Sequence, residues 1–128
     1  MPTENFDFLS DRTVEQIWVW SNTIRLVFDL GQGAELLAYV DVHSDSELID
    51  GAKRATLDVR ANPDEAGSVL RLLHDRVVGA VAIDSVLRLS FAGGVELTAP
   101  PDEQYESWTV AADGRVFQCM PGGEVDSW

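Results

Sequence analysis

Ile24-Arg25-Leu26-Val27-Phe28-Asp29 is echoed by Leu87-Arg88-Leu89-Ser90-Phe91-Ala92, each position 63 residues after its counterpart. Glycines follow both runs, Gly31-Gln32-Gly33 in the first and Gly93-Gly94 in the second. Ala34-Glu35-Leu36-Leu37-Ala38 then matches Val95-Glu96-Leu97-Thr98-Ala99, and the preceding VEQIWVWSN (14–22) corresponds to VVGAVAIDS (77–85). Self-similarity at a fixed offset narrows the choice of fold more than any average property does. Here one strand–turn–strand–turn–strand unit occurs twice, over about 14–40 and 77–99. Two copies are too few for a solenoid, so the expectation is a single domain over 1–128 with internal duplication, its halves near 1–63 and 64–128.

Side-chain alternation sets the expected registers. A three-residue loop, Ala92-Gly93-Gly94, pairs Phe91 with Val95, Leu89 with Leu97 and Leu87 with Ala99, which puts all six on one apolar face. A two-residue loop would set Phe91 against Glu96 and spoil both faces. In the first copy a five-residue loop, Asp29 to Gly33, pairs Phe28 with Ala34, Leu26 with Leu36 and Ile24 with Ala38. The other face there carries Val27, Leu37 and Tyr39, so this sheet is expected to be covered on both sides.

One main helix is expected near 63–75. Asn62 can cap it, Pro63 suits the first helical position, and Glu65 completes a capping box. Ala66, Val69, Leu70, Leu73 and Val77 follow helical spacing, and Arg71, His74 and Arg76 suit the negative end of the dipole. Leu57 and Val59 alternate as a strand would, while 44–51 reads as a helical turn or loop. The fold class is therefore α+β, mostly antiparallel sheet, with a C-terminal hairpin made of 105–111 and 116–120 around the Ala112-Asp113-Gly114 turn.

The C-terminal segment holds the candidate site: Tyr105, Glu106, Trp108, Gly122, Gly123, Glu124 and Trp128. The structural expectation is that Tyr105, Trp108 and Trp128 close one end of the sheet, with Glu106 or Glu124 accepting from an indole or glycine N–H. The functional alternative makes the same aromatics and carboxylates a recognition surface. Pro100, Pro101, Asp102, Tyr105, Glu106, Trp108, Pro121 to Glu124 and Trp128 form a pattern, PPDxxYE[A/S]W followed by PGGE and a last Trp. This pattern resembles that of a family of small uncharacterised bacterial proteins, common in actinobacteria. The resemblance covers about the second half of the chain and implies no activity.

Charge bears on partners. With 22 acidic and 9 basic residues the net charge is −13, which disfavours nucleic acid and anionic membranes and would steer a basic partner inward. The lone Cys119 excludes an internal disulfide, no secretory signal is visible, and no apolar run approaches the ~20 residues of a membrane span. The expected location is the cytoplasm; monomer and homodimer stay open.

Candidate chemistry is sparse. Asp41, His43, Asp45 and Glu47 alternate as hard-ion ligands could, but lack the pattern of a calcium loop and read as a solvated loop, with no metal expected. His74 reads as a helix-end group and Cys119 as a small buried hydrophobe. No nucleophile elbow, zinc helix or phosphate loop is present, and no cofactor is expected. The function expected is a non-enzymatic protein-interaction module, in its specific form an immunity-type inhibitor of a basic toxin. The alternative is a small hydrolase or sugar-binding enzyme that uses paired carboxylates such as Glu106 and Glu124.

Overall fold

The computed structural model describes residues 3–29, 38–43 and 45–128. Strand β1 (Thr3–Asn5) and a 3-10 turn (Asp7–Leu9) lead into a meander of β2 (Val14–Val19), β3 (Ile24–Phe28) and β4 (Ala38–Val42). A hairpin, β5 (Glu47–Asp50) and β6 (Lys53–Thr56), is followed by α1 (Pro63–Ala66), which continues as a 3-10 helix over Gly67–Leu72. The second meander comprises β7 (Val77–Ile83), β8 (Val86–Phe91) and β9 (Val95–Ala99). A second hairpin, β10 (Trp108–Ala112) and β11 (Arg115–Cys119), precedes β12 (Val125–Ser127). The strands form two six-stranded antiparallel sheets, ordered β1-β7-β8-β9-β5-β6 and β12-β11-β10-β4-β3-β2. Each meander therefore receives the other half's hairpin: β5–β6 joins β9, and β10–β11 joins β4. This is the α+β, mainly antiparallel arrangement expected from the two similar three-strand units.

The two units are related residue by residue. Val14 pairs with Phe28 and Val77 with Phe91, and each first strand bulges just after its valine. The symmetry centres on an isolated bridge between Thr13 and Arg76, which are themselves counterparts. Around it the Val14 amide donates to the Asp75 carbonyl oxygen (3.0 Å) and the Val77 amide to that of Arg12 (2.9 Å). The His74 amide donates to Val14 O and the Asp11 amide to Val77 O, both at 2.8 Å. Asp11 and His74, again counterparts, both take the left-handed backbone, at φ 69 and 70. The likeness thus starts well before residues 14 and 77: Leu9 and Leu72 are both fully buried at the ends of 3-10 turns.

One core lies between the sheets, lined by alternate residues of strands such as β4, β8 and β9. Ile24, Leu26 and Phe28 from one sheet and Leu87, Leu89 and Phe91 from the other belong to the same buried cluster. Each such side chain contributes about 1.5–3 kcal/mol on leaving water. Phe6 sits among Trp108 (5.9 Å between ring centres), Phe117 (5.2 Å) and Phe8 (5.9 Å) in edge-to-face contacts.

Several local expectations are corrected. The second meander has the expected register, Leu87 opposite Ala99 and Leu89 opposite Leu97, and the Gly94 amide donates to Phe91 O across the turn. In the first, Phe28 pairs with Ala38, Leu26 with Val40 and Ile24 with Val42, four residues beyond the expected partners. The counterpart of 95–99 is therefore Ala38–Val42, and the expected Gly31-Gln32-Gly33 turn with Leu36 and Leu37 lies outside the described residues. The helical stretch is shorter than 63–75 and mostly 3-10. Asn62 Oδ1 accepts from the Glu65 amide (3.3 Å) as expected, but three residues per turn line up Ala66, Val69 and Leu72 inward and leave Leu70 exposed. Val77 is buried in a strand, not on a helix stripe. Residues 47–50 form a strand where a helical turn or loop was expected. The expected strand at Leu57 and Val59 lies instead at Lys53–Thr56.

Candidate functional site

The C-terminal motif is for the most part a clasp. Trp108 opens β10 on the core side and is fully buried, and its indole N–H donates to the Ser85 carbonyl oxygen at 2.9 Å. Ser85 sits in the β7–β8 turn, where Asp84 (φ 50) and Ser85 (φ 66) both adopt the left-handed backbone of a tight hairpin. The Ser85 hydroxyl donates to the Gly123 carbonyl oxygen. Gly122 and Gly123 have φ 87 and 97, conformations that cost an L side chain strain. The Gly122 amide donates to Asp102 O (2.8 Å), while Asp102 Oδ1 accepts from the Gln104 (2.7 Å) and Tyr105 (3.1 Å) amides. Residues 85, 101–102, 108 and 122–123 therefore bind two sheets together at one end.

Of the three aromatics expected to close the sheet, only Trp108 does so. Tyr105 is 67% exposed, ahead of the strand rather than in it, and Trp128 is 65% exposed. Trp128 extends β12 through reciprocal backbone bonds with Val116, and alternation turns it to the outer face. Neither glutamate has the expected partner: the indole bond goes to Ser85 O, and the glycine amides go to Asp102 O and Met120 O. Glu106 and Glu124, the carboxylates of the enzyme alternative, line separate depressions.

A cluster outside the motif was not foreseen. On the outer face of β2 and β3, Arg25 lies over Tyr39 (4.0 Å to the ring centre), Trp20 (5.2 Å) and Trp18 (5.6 Å). Its guanidinium makes two bonds to Asp41, Nε to Oδ1 at 2.7 Å and Nη2 to Oδ2 at 2.9 Å. These bonds push the Arg25 pKa above its ordinary value against the opposing effect of burial. Trp18 and Trp20 meet edge to face at 5.9 Å yet remain 44% and 45% exposed. The other copy supplies an internal control. There Val81, Ile83 and Glu96 stand where Trp18, Trp20 and Tyr39 stand here, and the same meander forms. The same strand pairing thus forms without aromatic residues at these three places. The only sequence sign was that mismatch between copies, WVW against VAI.

A cleft of about 220 Å³ between loops is lined by His43, Asp58, Arg60, Asp102, Tyr105 and Glu106 among others. Much of its polar lining is already committed: Asp58 Oδ1 accepts from the Ala61 amide (3.1 Å), and His43 Nδ1 lies 2.8 Å from Thr23 Oγ1. The alternating Asp41, His43, Asp45 and Glu47 do not converge, because the chain passes there from one sheet to the other. Asp41 binds Arg25, and Glu47 faces Arg54 at 3.5 Å. Among the described residues no group of three or more His, Cys, Asp or Glu is placed to hold a metal, and no helix is long and apolar enough to cross a membrane. Cys119 is fully buried, and burial pushes its thiol pKa up, opposed in part by Ser107.

Two interleaved sheets, a motif used as a clasp and an aromatic outer face define the class: a two-sheet α+β protein whose exposed aromatics are its most distinctive surface. The chain belongs to the family of unknown function DUF6188, which matches residues 7–128. No curated protein and no solved structure matches the chain.

Proposed function

We propose that this is a non-enzymatic protein-interaction module of the bacterial cytoplasm, an immunity-type inhibitor that binds a basic toxin. The observation that carries the reading is the cluster of exposed Trp18 and Trp20 with half-buried Tyr39 around Arg25, absent from the equivalent place in the other copy. Large rigid aromatics and arginine are the residues that anchor protein interfaces. Arg25 is neutralised by Asp41, and the net charge of −13 favours encounter with a cation-rich surface. We also read the residue-by-residue correspondence of the halves as duplication of one ancestral unit, which freed one outer face to diverge. The test is co-expression with each small basic protein encoded beside this chain. Growth rescue by the wild type, lost in Trp18→Ala/Trp20→Ala with unchanged melting, supports the reading. Rescue that is indifferent to both tryptophans overturns it.

A second reading, a small sugar-like ligand in the loop cleft, is favoured by one observation. Arg60 and Glu106 line the cleft with no hydrogen-bond partner among the described residues, beside the exposed Tyr105 ring. Saturable binding of a neutral sugar, lost in Glu106→Gln, would select it.

A further inference from the structure

We infer that the open edge of β2 accepts an extended segment of a basic partner as an added antiparallel strand. This rests on the interaction reading above and specifies its mode. The two meanders differ at this edge. In the second, β1 lies along β7, with Asn5 opposite Val81 and Thr3 opposite Ile83, and the Phe6 amide donates to Ala80 O at 3.0 Å. In the first, β2 ends its sheet, and among the described residues nothing pairs with its outer edge beyond Val14. The Trp20 amide donates to Thr23 O, so alternation turns the backbone groups of Trp18 toward β3 and those of Ile17 and Val19 away from it. Ile17 and Val19 are the counterparts of Ala80 and Ala82, whose edge β1 occupies. The molecule therefore already displays, on its other half, a strand in the place that none of the described residues fills along β2.

The surroundings say what such a strand would carry. The open stretch from Gln16 to Trp20 is roughly 17 Å long at about 3.4 Å per residue. On its core side lies an apolar groove of about 120 Å³ lined by Val19, Ile24, Val59, Ala66, Val69 and Leu70. On its outer side stand the exposed rings of Trp18 and Trp20. Alternate side chains of an added strand would meet the groove and the rings in turn, so the fitting sequence alternates apolar and cationic residues. Charge selects the same occupant. Glu15 on the edge and Asp64 and Glu65 beside the groove are exposed, whereas the one cation of the cluster, Arg25, is held by Asp41. A second copy of this chain would bring another −13 to the contact.

The experiment uses the intact protein and a capped peptide of alternating lysine and valine long enough to cover Gln16 to Trp20. Its controls are the same peptide with alternate amides N-methylated, and a glutamate–valine peptide. The expected result is that the Ile17 and Val19 amides exchange about tenfold more slowly with the lysine–valine peptide bound. The Ala80 and Ala82 amides should be unchanged, and neither control peptide should protect. Peptide that perturbs Trp18 and Trp20 without slowing Ile17 and Val19 overturns strand addition and leaves the interaction reading standing. No binding of the peptide also overturns strand addition, while the co-expression assay decides the interaction reading separately. Protection of the same two amides without peptide, together with a dimer in sedimentation, overturns the choice of occupant.

Discussion

The indole N–H of Trp108 donates to the carbonyl oxygen of Ser85, 2.9 Å away, and so joins the first residue of β10 in one sheet to the β7–β8 turn of the other. Trp108→Ala removes a fully buried ring and this bond together. The expected loss is about 3–5 kcal/mol. Trp108→Phe keeps most of the packing but leaves Ser85 O to one donor fewer, with an expected cost of about 1–3 kcal/mol. Urea denaturation of both variants checks the order.

Trp128 behaves differently although it belongs to the same motif. It is 65% exposed and contributes mainly backbone bonds to Val116, which alanine retains. Trp128→Ala should cost no more than about 0.5 kcal/mol. A loss near that of Trp108→Ala would show that the ring is buried in solution.

Gly122 and Gly123 should resist β-branched replacement. Both take positive φ, and a Cβ on Gly123 meets only ordinary contacts, 3.6 Å from Pro101 Cβ and Ser85 Oγ. Conformation and not crowding is the obstacle. Gly123→Val should destabilise by roughly 1–3 kcal/mol, with Gly123→Asn closer to wild type because asparagine tolerates the left-handed region. Thermal melting of the pair separates the two causes.

Cys119 gives a pH signature. Its thiol pKa is raised chiefly by burial, so above the ordinary thiol range the unfolded chain ionises before the folded one. The folded state then holds the proton more tightly, and its stability falls as pH rises; below that range the residue makes no pH-dependent difference. Wild type should lose stability on alkalinisation faster than Cys119→Ala, measured as the difference between their denaturation midpoints. Equal slopes would count against the buried thiol.

The parts legible in the sequence were those where one pattern had one solution. Leu87, Leu89 and Phe91 fit Val95, Leu97 and Ala99 in only one short-loop register. The first copy offers apolar residues at Leu36, Ala38, Val40 and Val42 in turn, so a shift of four keeps every side chain on its face and alternation cannot see it. The period of the helical stretch is ambiguous in the sequence: Ala66 and Val69 suit both kinds of helix, and only burial of Leu72 over Leu70 tells three residues per turn from more. Strands β1 and β12 have three residues each, too few for any period. The aromatic cluster was hidden for another reason. WVW reads equally well as a strand covered on both faces, and exposure depends on what lies beyond the edge, which local sequence does not encode.

The exchange of hairpins between the meanders has a consequence for how the chain reaches this state. β4 waits for β10, which begins at Trp108, and β9 closes on β5, which ends at Asp50. These two ladders, and that of β1 with β7, join residues far apart along the chain, and such non-local pairing raises the contact order and slows folding. On the ribosome the first meander emerges with β4 unpaired along one side until nearly the whole polypeptide is available. Neither half should fold when expressed alone, and refolding of the intact chain should be slow and sensitive to concentration.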